Sequence, residues 1–214
     1  GATSILNNMN IYLVRHGESE ANAQQVKQGT DGNLSAKGKQ QATFLAERLS
    51  HIQLENIISS PVLRAQQTAD IINKKLNLPL TNSPLFVERK TPTELIGKPL
   101  QSPEVTNAMQ KMYDNYTDND WHYSDEENFS DLKTRAINGL KELSKSSSKN
   151  RLVVTHGAFL RVLIACVIMG NMLTSAEYLK FNSTLKATNT GITLIRYIDN
   201  EWQLIIWNDH SHLG

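Results

Sequence analysis

The chain has a single cysteine, Cys166, so no internal disulfide can hold it together. A lone thiol in an apolar stretch reads as a buried, inert group, and a reducing, cytoplasmic compartment is the expected location. Neither sign of charge is in excess: 22 Lys and Arg against 21 Asp and Glu leave a formal net charge of +1. That balance gives no support to a nucleic-acid or membrane partner, which would show a basic patch or stripe. A local positive pocket remains compatible with it, because net charge says nothing about focusing inside a cleft. Long hydrophobic runs are missing as well. The longest, residues 162–169, falls far short of the roughly 20 residues a membrane span needs and reads as a core helix. No secretory leader is visible, and residues 1–8 are read as a tag remnant or flexible N-terminus, with Met9 nearer a natural start. Proline is scarce and unevenly placed, with Pro84, Pro92, Pro99 and Pro103 gathered in one stretch of the middle.

What is present is a repeated strand-end pattern. Residues 11–14 are apolar or aromatic strand formers that end abruptly in Arg15-His16-Gly17-Glu18. Arg151-Leu152-Val153-Val154-Thr155 does the same into His156-Gly157, before the helix-like residues 158–169. Between them Ile57-Ile58 runs into Ser59-Ser60-Pro61, a helix start with proline in its first turn, which brings Arg64 close to the same sheet edge. The C-terminal edge of buried parallel strands is where open α/β folds place their ligands. A guanidinium beside an imidazole there suggests an oxyanion pocket holding a nucleophile or base, and two His-Gly turns look like two halves of one site.

Helical and strand periods alternate through the first half, with Ala42, Leu45, Ala46 and Leu49 forming one apolar helical stripe. The expected architecture is a single α/β domain over 9–214, a three-layer α/β/α sandwich with a mostly parallel central sheet and helices on both faces. Residues 84–130 break the rhythm and read as a lid-like insertion. Residues 118–131 are acidic, with Trp121, His122, Tyr123 and Phe129 among them, and read as a solvated acidic loop with aromatic anchors. The alternative is a lid whose Trp121 and Tyr123 line the pocket. Residues 191–197 and 202–207 flank Ile198-Asp199-Asn200-Glu201 and suit an edge hairpin, whose Trp202 and Trp207 could pair with a second copy.

These separated motifs together resemble the histidine phosphatase superfamily, the phosphoglycerate-mutase-like fold, over most of the chain from Met9 onward. The resemblance implies a metal-independent phosphomonoester hydrolase in which His16 is transiently phosphorylated. Neutral imidazole attacks phosphorus well if one ring nitrogen is free and the other is held by a backbone carbonyl. Arg15, Arg64 and His156 then form a phosphate clamp, with paired bonds from the planar guanidinium forks and backbone amides after Gly157. The family also places an asparagine in the loop after the first motif, here Asn22; Gln28 and Gly29 are close enough to suspect of touching phosphate. Leu85-Phe86-Val87-Glu88-Arg89 resembles the segment that carries the proton-donating glutamate, so Glu88 is the candidate acid and Glu94 its rival. Asn189 either orients a pocket group or makes a turn, while Glu127, Asn128 and Arg135 read as structural. The histidines of His210-Ser211-His212 are too few for a metal site in a terminal tail, and neither metal nor cofactor is expected.

Phosphatase and mutase share this machinery. Glycolytic mutases of the family carry Gln and Trp in the first motif, where this chain has Glu18 and Ala21, and Tyr-Gly after the Glu-Arg pair, where it has Lys90 and Thr91. Both departures favour a phosphatase acting on a small phosphorylated substrate. A mutase and a weakly active phospho-ligand-binding module are the alternatives. Arg89, Lys90 and Lys98 could favour a second anionic group on the substrate or simply be solvated.

Overall fold

Ile11 and Leu13 alternate with Tyr12 and Val14, and both sets are apolar, so the first strand needs cover on both faces. The computed structural model, which describes residues 8–214, provides that cover; the expectation for residues 1–8 lies outside the described residues except at Asn8. Strand β1 (Met9–Arg15) lies inside a six-stranded sheet with β2 (Asn56–Ser59), β3 (Leu80–Asn82), β4 (Asn150–Thr155), β5 (Ile192–Ile198) and β6 (Glu201–Asp209). The spatial order is β3-β2-β4-β1-β5-β6. The first four of these are parallel; β5 and β6 join antiparallel at one side. A short helix α1 (Glu20–Gln24) follows β1, and α2 (Ala36–Leu49) and α3 (Leu63–Leu76) cover one face. Their residues Leu45, Leu49, Ala65 and Ile72 pack with Val14 and Val154. Helix α4 (Pro103–Asp114) lies outside the sheet layers, and α5 (Phe129–Ser144), α6 (Gly157–Met169) and α7 (Ser175–Thr184) follow. On the opposite face Leu132, Phe159, Leu163 and Tyr178 pack with Ile11 and Leu13. The result is the three-layer sandwich that the alternating periods predict. Cys166 is buried within α6, and burial pushes its thiol up to about 11.

Three sequence expectations change on folding. Helix α3 starts at Leu63, so Pro61 precedes it instead of occupying its first turn. The cause is Ser60, whose backbone N–H still belongs to the ladder, donating to Val154 O at 2.9 Å, while its hydroxyl accepts from Val62 N. The chain must turn before it can coil. Secondly, much of the acidic stretch is engaged rather than solvated. Asp125 accepts from the Thr93 amide and hydroxyl, buried Glu126 accepts from the amides of Tyr123 and Ser124, and Asp131 completes a capping box with Asn128 at the start of α5. Trp121 and Tyr123 pack on Leu95, Val105, Ala108 and Met112, so they anchor a small separate core within residues 84–130. Thirdly, Trp202 and Trp207 of the edge hairpin turn onto the main core, and it is Ile205 and Ile206 that stay exposed. The hairpin turn itself uses Asp199 and Asn200 at φ of 52° and 65°, the left-handed pair a tight two-residue turn demands. Among the described residues no helix is long and apolar enough to cross a membrane.

The loop after β1 is fixed by a close backbone approach to α2. A Cβ on Gly38 would overlap the Glu18 carbonyl, and one on Gly17 would overlap the Gly38 carbonyl. At Gly139 in α5 the nearest atom to an added Cβ is Phe86 Cε1 at 3.4 Å, an ordinary contact. Urea unfolding should therefore show Gly38→Ala destabilised by about 2 kcal/mol or more, with Gly139→Ala neutral or slightly stabilised by its better helix propensity. Equal effects at the two positions would remove the close-approach argument.

Candidate active site

The parallel register sets Arg15 opposite Thr155 and Val154 opposite Ser59, so three strands end at one edge within a residue of one another. His16, His156 and Ser60 are the next residues of those strands, and all three are buried. The two imidazoles lie with ring centroids 5.1 Å apart at 57°. Arg64, in the first turn of α3, is 3 % exposed and donates from Nε to His16 Nε2 at 3.2 Å. A guanidinium N–H can only donate, so Nε2 of His16 carries a lone pair and its proton sits on Nδ1, which donates to Gly17 O at 2.7 Å. The ring thus has its basic nitrogen facing the arginines. The Asn189 amide donates to His16 O at 2.8 Å, and Thr190 N donates to Arg15 O, tying the strand end to the turn before β5.

Among the described residues no carboxylate is bonded to either arginine, although the charge of Glu88 acts on both through space. Arg15 Nη1 donates to Ala187 O at 2.7 Å and Arg64 Nη1 to Gly29 O at 2.8 Å, both backbone carbonyls. Among the described residues two buried side-chain nitrogens have no partner, Arg15 Nε, a donor, and His156 Nδ1, a donor whenever Nε2 accepts from the Ser60 hydroxyl or the ring is protonated. The other nitrogen of His156 meets Ser60 Oγ at 2.8 Å. A buried polar atom left unpaired costs about 1–3 kcal/mol, so this pocket is set to gain from an anion that accepts from both. Burial first, and then the fixed charges of Arg64 and Arg15 together with the neighbouring His156 ring whenever it is protonated, hold His16 well below its ordinary 6.5. Burial and the same arginines do the same to His156. Both rings are neutral in the ligand-free protein; a bound dianion would oppose the arginines and shift His156 towards its protonated form.

Glu88 reaches the same edge by another route. Its carboxylate accepts from the amides of Ala158 and Phe159, at 3.2 and 2.9 Å, at the start of the helix that His156 caps. Those two amides, expected to face an anion, are therefore taken by Glu88, and Gly157 instead packs against the Arg15 guanidinium, which lies 3.3 Å from where its Cβ would be. Glu94 is exposed and lies beside Tyr123, away from this helix start. Asn22 uses its Oδ1 in a capping box with Ser19, leaving its NH2 group without a protein acceptor. Gln28 accepts from Ser19 Oγ at 2.7 Å, and Gly29 serves through the carbonyl that holds Arg64.

Two residues matter more here than their sequence context suggests. Ser60 reads as part of a helix start, yet its hydroxyl fixes His156. Arg135 reads as structural, yet it pairs with Glu127 at 2.7 Å and donates to the carbonyls of Leu85 and Val87, at 3.0 and 2.8 Å. With Thr155 Oγ1 donating to Phe86 O, these bonds hold the segment that presents Glu88. Nothing in one-dimensional spacing links Arg135 to residues some fifty positions earlier. Among the described residues no group of three or more His, Cys, Asp and Glu side chains gathers to hold a metal ion. His212 meets Thr190 and Arg48, while His210 turns to Asn208 O.

The sequence model described as histidine phosphatase superfamily (branch 1) matches residues 11–210. Among curated proteins the chain is 32 % identical to uncharacterized phosphatase PhoE of Bacillus subtilis (strain 168), covering 95 % of this chain and 96 % of the relative. It is 30 % identical to probable phosphoglycerate mutase GpmB of Enterobacter sp. (strain 638), over 96 % and 95 % of the two. Among solved structures, a putative alpha-ribazole-5'-P phosphatase from Escherichia coli K-12 superposes with a TM-score of 0.80 at 22 % identity, covering 95 % and 97 % of the two chains, a likeness of fold.

The neutral imidazoles have a consequence for stability. Below about 6.5 the unfolded chain protonates both rings while the folded chain does not, so stability falls as pH drops through 6.5 towards the lowered folded values. Urea unfolding at pH 7.5, 6.5 and 5.5 should give a shallower loss for His156→Asn than for the wild type. The difference should reach at most about 1.4 kcal/mol per pH unit. Parallel slopes would show that His156 is not held neutral.

Proposed function

The chain belongs to the histidine phosphatase superfamily, and on that premise we propose that it hydrolyses phosphomonoesters through a phosphohistidine on His16. The observation that carries this reading is the His16 Nε2 lone pair, buried beside Arg15, Arg64 and His156 with no carboxylate bonded to either arginine. The relative named a phosphatase supports it from outside.

In the ligand-free protein the Arg64 Nε–H occupies the lone pair that would attack. A phosphate dianion draws that guanidinium onto its own oxygens, which uncovers Nε2 at the moment substrate arrives. Arg15 Nε and His156 Nδ1 gain their missing acceptors in the same step. Charge on the non-bridging oxygens is stabilised by groups already in position, which is the main demand of phosphoryl transfer. The His16 Nε2–P bond forms as the P–O ester bond breaks, and a proton passes from the Glu88 carboxyl to the departing oxygen. Water then attacks phosphorus, losing its proton to the Glu88 carboxylate as the N–P bond breaks. Inorganic phosphate leaves and both residues return to their starting states. His156 and Ser60 hold the clamp, and the Gly17 carbonyl keeps the His16 tautomer through both steps. No step needs a metal or a cofactor. The relatives named probable phosphoglycerate mutase support a second reading, in which a substrate hydroxyl takes the place of water.

Hydrolysis of p-nitrophenyl phosphate with excess chelator tests the proposal. The wild type should turn over, and His16→Ala should lose at least about a thousandfold in kcat. Absence of turnover on every phosphomonoester tried would sink the hydrolase reading. Glu88→Gln should lose more on an alkyl phosphate than on p-nitrophenyl phosphate, whose leaving oxygen hardly needs a proton. Arg135→Lys should reproduce part of that leaving-group dependence, because it loosens the segment carrying Glu88; a uniform loss on both esters would assign Arg135 to folding alone.

A further inference from the structure

On its β5 side the ladder of β1 stops at Val14, opposite Ile192, short of both Arg15 and His16. Residues 187–190, which belong to no strand or helix, carry the contact onward. Arg15 Nη1 donates to Ala187 O at 2.7 Å, the Asn189 amide to His16 O at 2.8 Å, and Thr190 N to Arg15 O at 2.9 Å. One clamp arginine and the nucleophile are therefore positioned by a turn.

That turn does not hold itself. Thr190 is fully buried and has φ of 59°, a left-handed conformation that a β-branched residue rarely adopts. Such a residue persists only where its surroundings enforce it. The enforcing contact comes from the end of the chain: Thr190 Oγ1 lies 3.1 Å from Nε2 of His212, in the single helical turn Ser211–Leu213. Nδ1 of the same ring faces Arg48 Nη1 of α2 at 3.3 Å. A guanidinium can only donate, so Nδ1 accepts and Nε2 donates to the Thr190 hydroxyl. Burial first, and then Arg48, hold His212 below its ordinary 6.5 against the opposing charge of Asp209, and the neutral ring is the form able to accept and donate at once. Asp209 in turn pairs with Arg48, fixing the guanidinium on which the ring rests. Asn208 grips the other side of the turn, accepting from Thr188 N at 2.8 Å and donating to Thr188 Oγ1 at 3.0 Å. The two segments pass so closely that a Cβ on Gly191 would overlap Asn208 Oδ1.

We propose that His212 is a positioning residue for the phosphate site, acting through Thr190 on the backbone of Arg15 and His16. Its ring bonds to none of Arg15, His16, Arg64 and His156; it keeps Thr190 in its strained conformation, and the turn then aims the Arg15 guanidinium and holds the His16 main chain. This role rests on the hydrolase reading for its effect on turnover, while binding of inorganic phosphate reads it directly. His212→Leu, His212→Gln and Thr190→Val are compared with the wild type by titration calorimetry with inorganic phosphate and by kcat for p-nitrophenyl phosphate, at a temperature where urea unfolding shows each variant folded. Gln restores an N–H donor in place of imidazole Nε2; Leu restores only bulk. Leu143→Ala, in the buried core at the last turn of α5, supplies a loss of stability away from the turn. His212→Leu should weaken phosphate binding and lower kcat, each at least about fivefold, while His212→Gln stays within about twofold of the wild type and Leu143→Ala keeps both values. Thr190→Val should match His212→Leu, and the double variant should lose no more than either single one. Unchanged phosphate affinity in folded His212→Leu, an equal loss in His212→Gln or Leu143→Ala, or additive losses in the double variant overturns the role. Weakened phosphate binding in His212→Leu without turnover of any ester by the wild type leaves the role standing and removes the hydrolase reading. Turnover by the wild type with phosphate binding unchanged in His212→Leu removes the role alone, and a wild type that binds no phosphate overturns both.

Discussion

The parallel pairing of β1 with β4, in the register that sets Arg15 against Thr155, is the constraint on which the rest depends. It lines up two strand ends separated by 140 positions so that His16 and His156 become neighbours. The adjoining pair, β2 with β4, adds Ser60 at the same level. A slip of one residue in either ladder would turn the strand faces over and send the imidazoles to opposite sides of the sheet. The register is secured because both faces of β1 and β4 are buried, under α2 and α3 on one side and α5 and α6 on the other. The hydrophobic cores therefore act on the chemistry through alignment, without touching it.

Around that alignment the fold keeps positive charge buried and lightly opposed. Arg15 and Arg64 are anchored by carbonyl oxygens, which orient a guanidinium without cancelling it. The nearest carboxylate, Glu88, is held at the start of α6 by backbone amides, within reach of the site yet not bonded to either arginine. Both imidazoles stay neutral under the combined pressure of burial and the arginines. That arrangement is costly when unliganded and would be relieved by an oxyanion, and the same burial and charges keep His16 Nε2 unprotonated.

Reading the chain in one dimension went furthest where a local rule applied. Strand ends, helix stripes and the Asp199-Asn200 turn depend on neighbours a few positions away, and the three-layer sheet followed from their alternation. Residues 84–130 were harder because their order comes from scattered contacts. Asp125 fixes Thr93, Arg135 fixes residues 85–88, and a core of only four buried side chains with two aromatics holds the rest. The acidic composition there suggested solvation, whereas capping and loop amides account for Glu126 and Asp131. Ser60 misled for a similar reason: serine before proline is a good helix signal locally, but its amide was already committed to the strand ladder.

By itself the sequence determined the elements and the α/β class, and it offered Arg15, His16, Arg64 and His156 as a set, because strand-end motifs and periodicity are properties of contiguous residues. It also offered Glu88 and Glu94 as alternatives and three cations as candidates for a second anion. Where each of them lies is a property of the tertiary structure alone. The start of α6 receives Glu88 while Glu94 stays outside, Arg135 is drawn back onto the segment it holds, and carboxylates pair with Lys90 and Lys98 while Arg89 turns to the Glu127 carbonyl and the Tyr116 ring. The physical reason is that a charge's effect depends on its distance to other charges and on its burial, and neither quantity exists until the chain has folded.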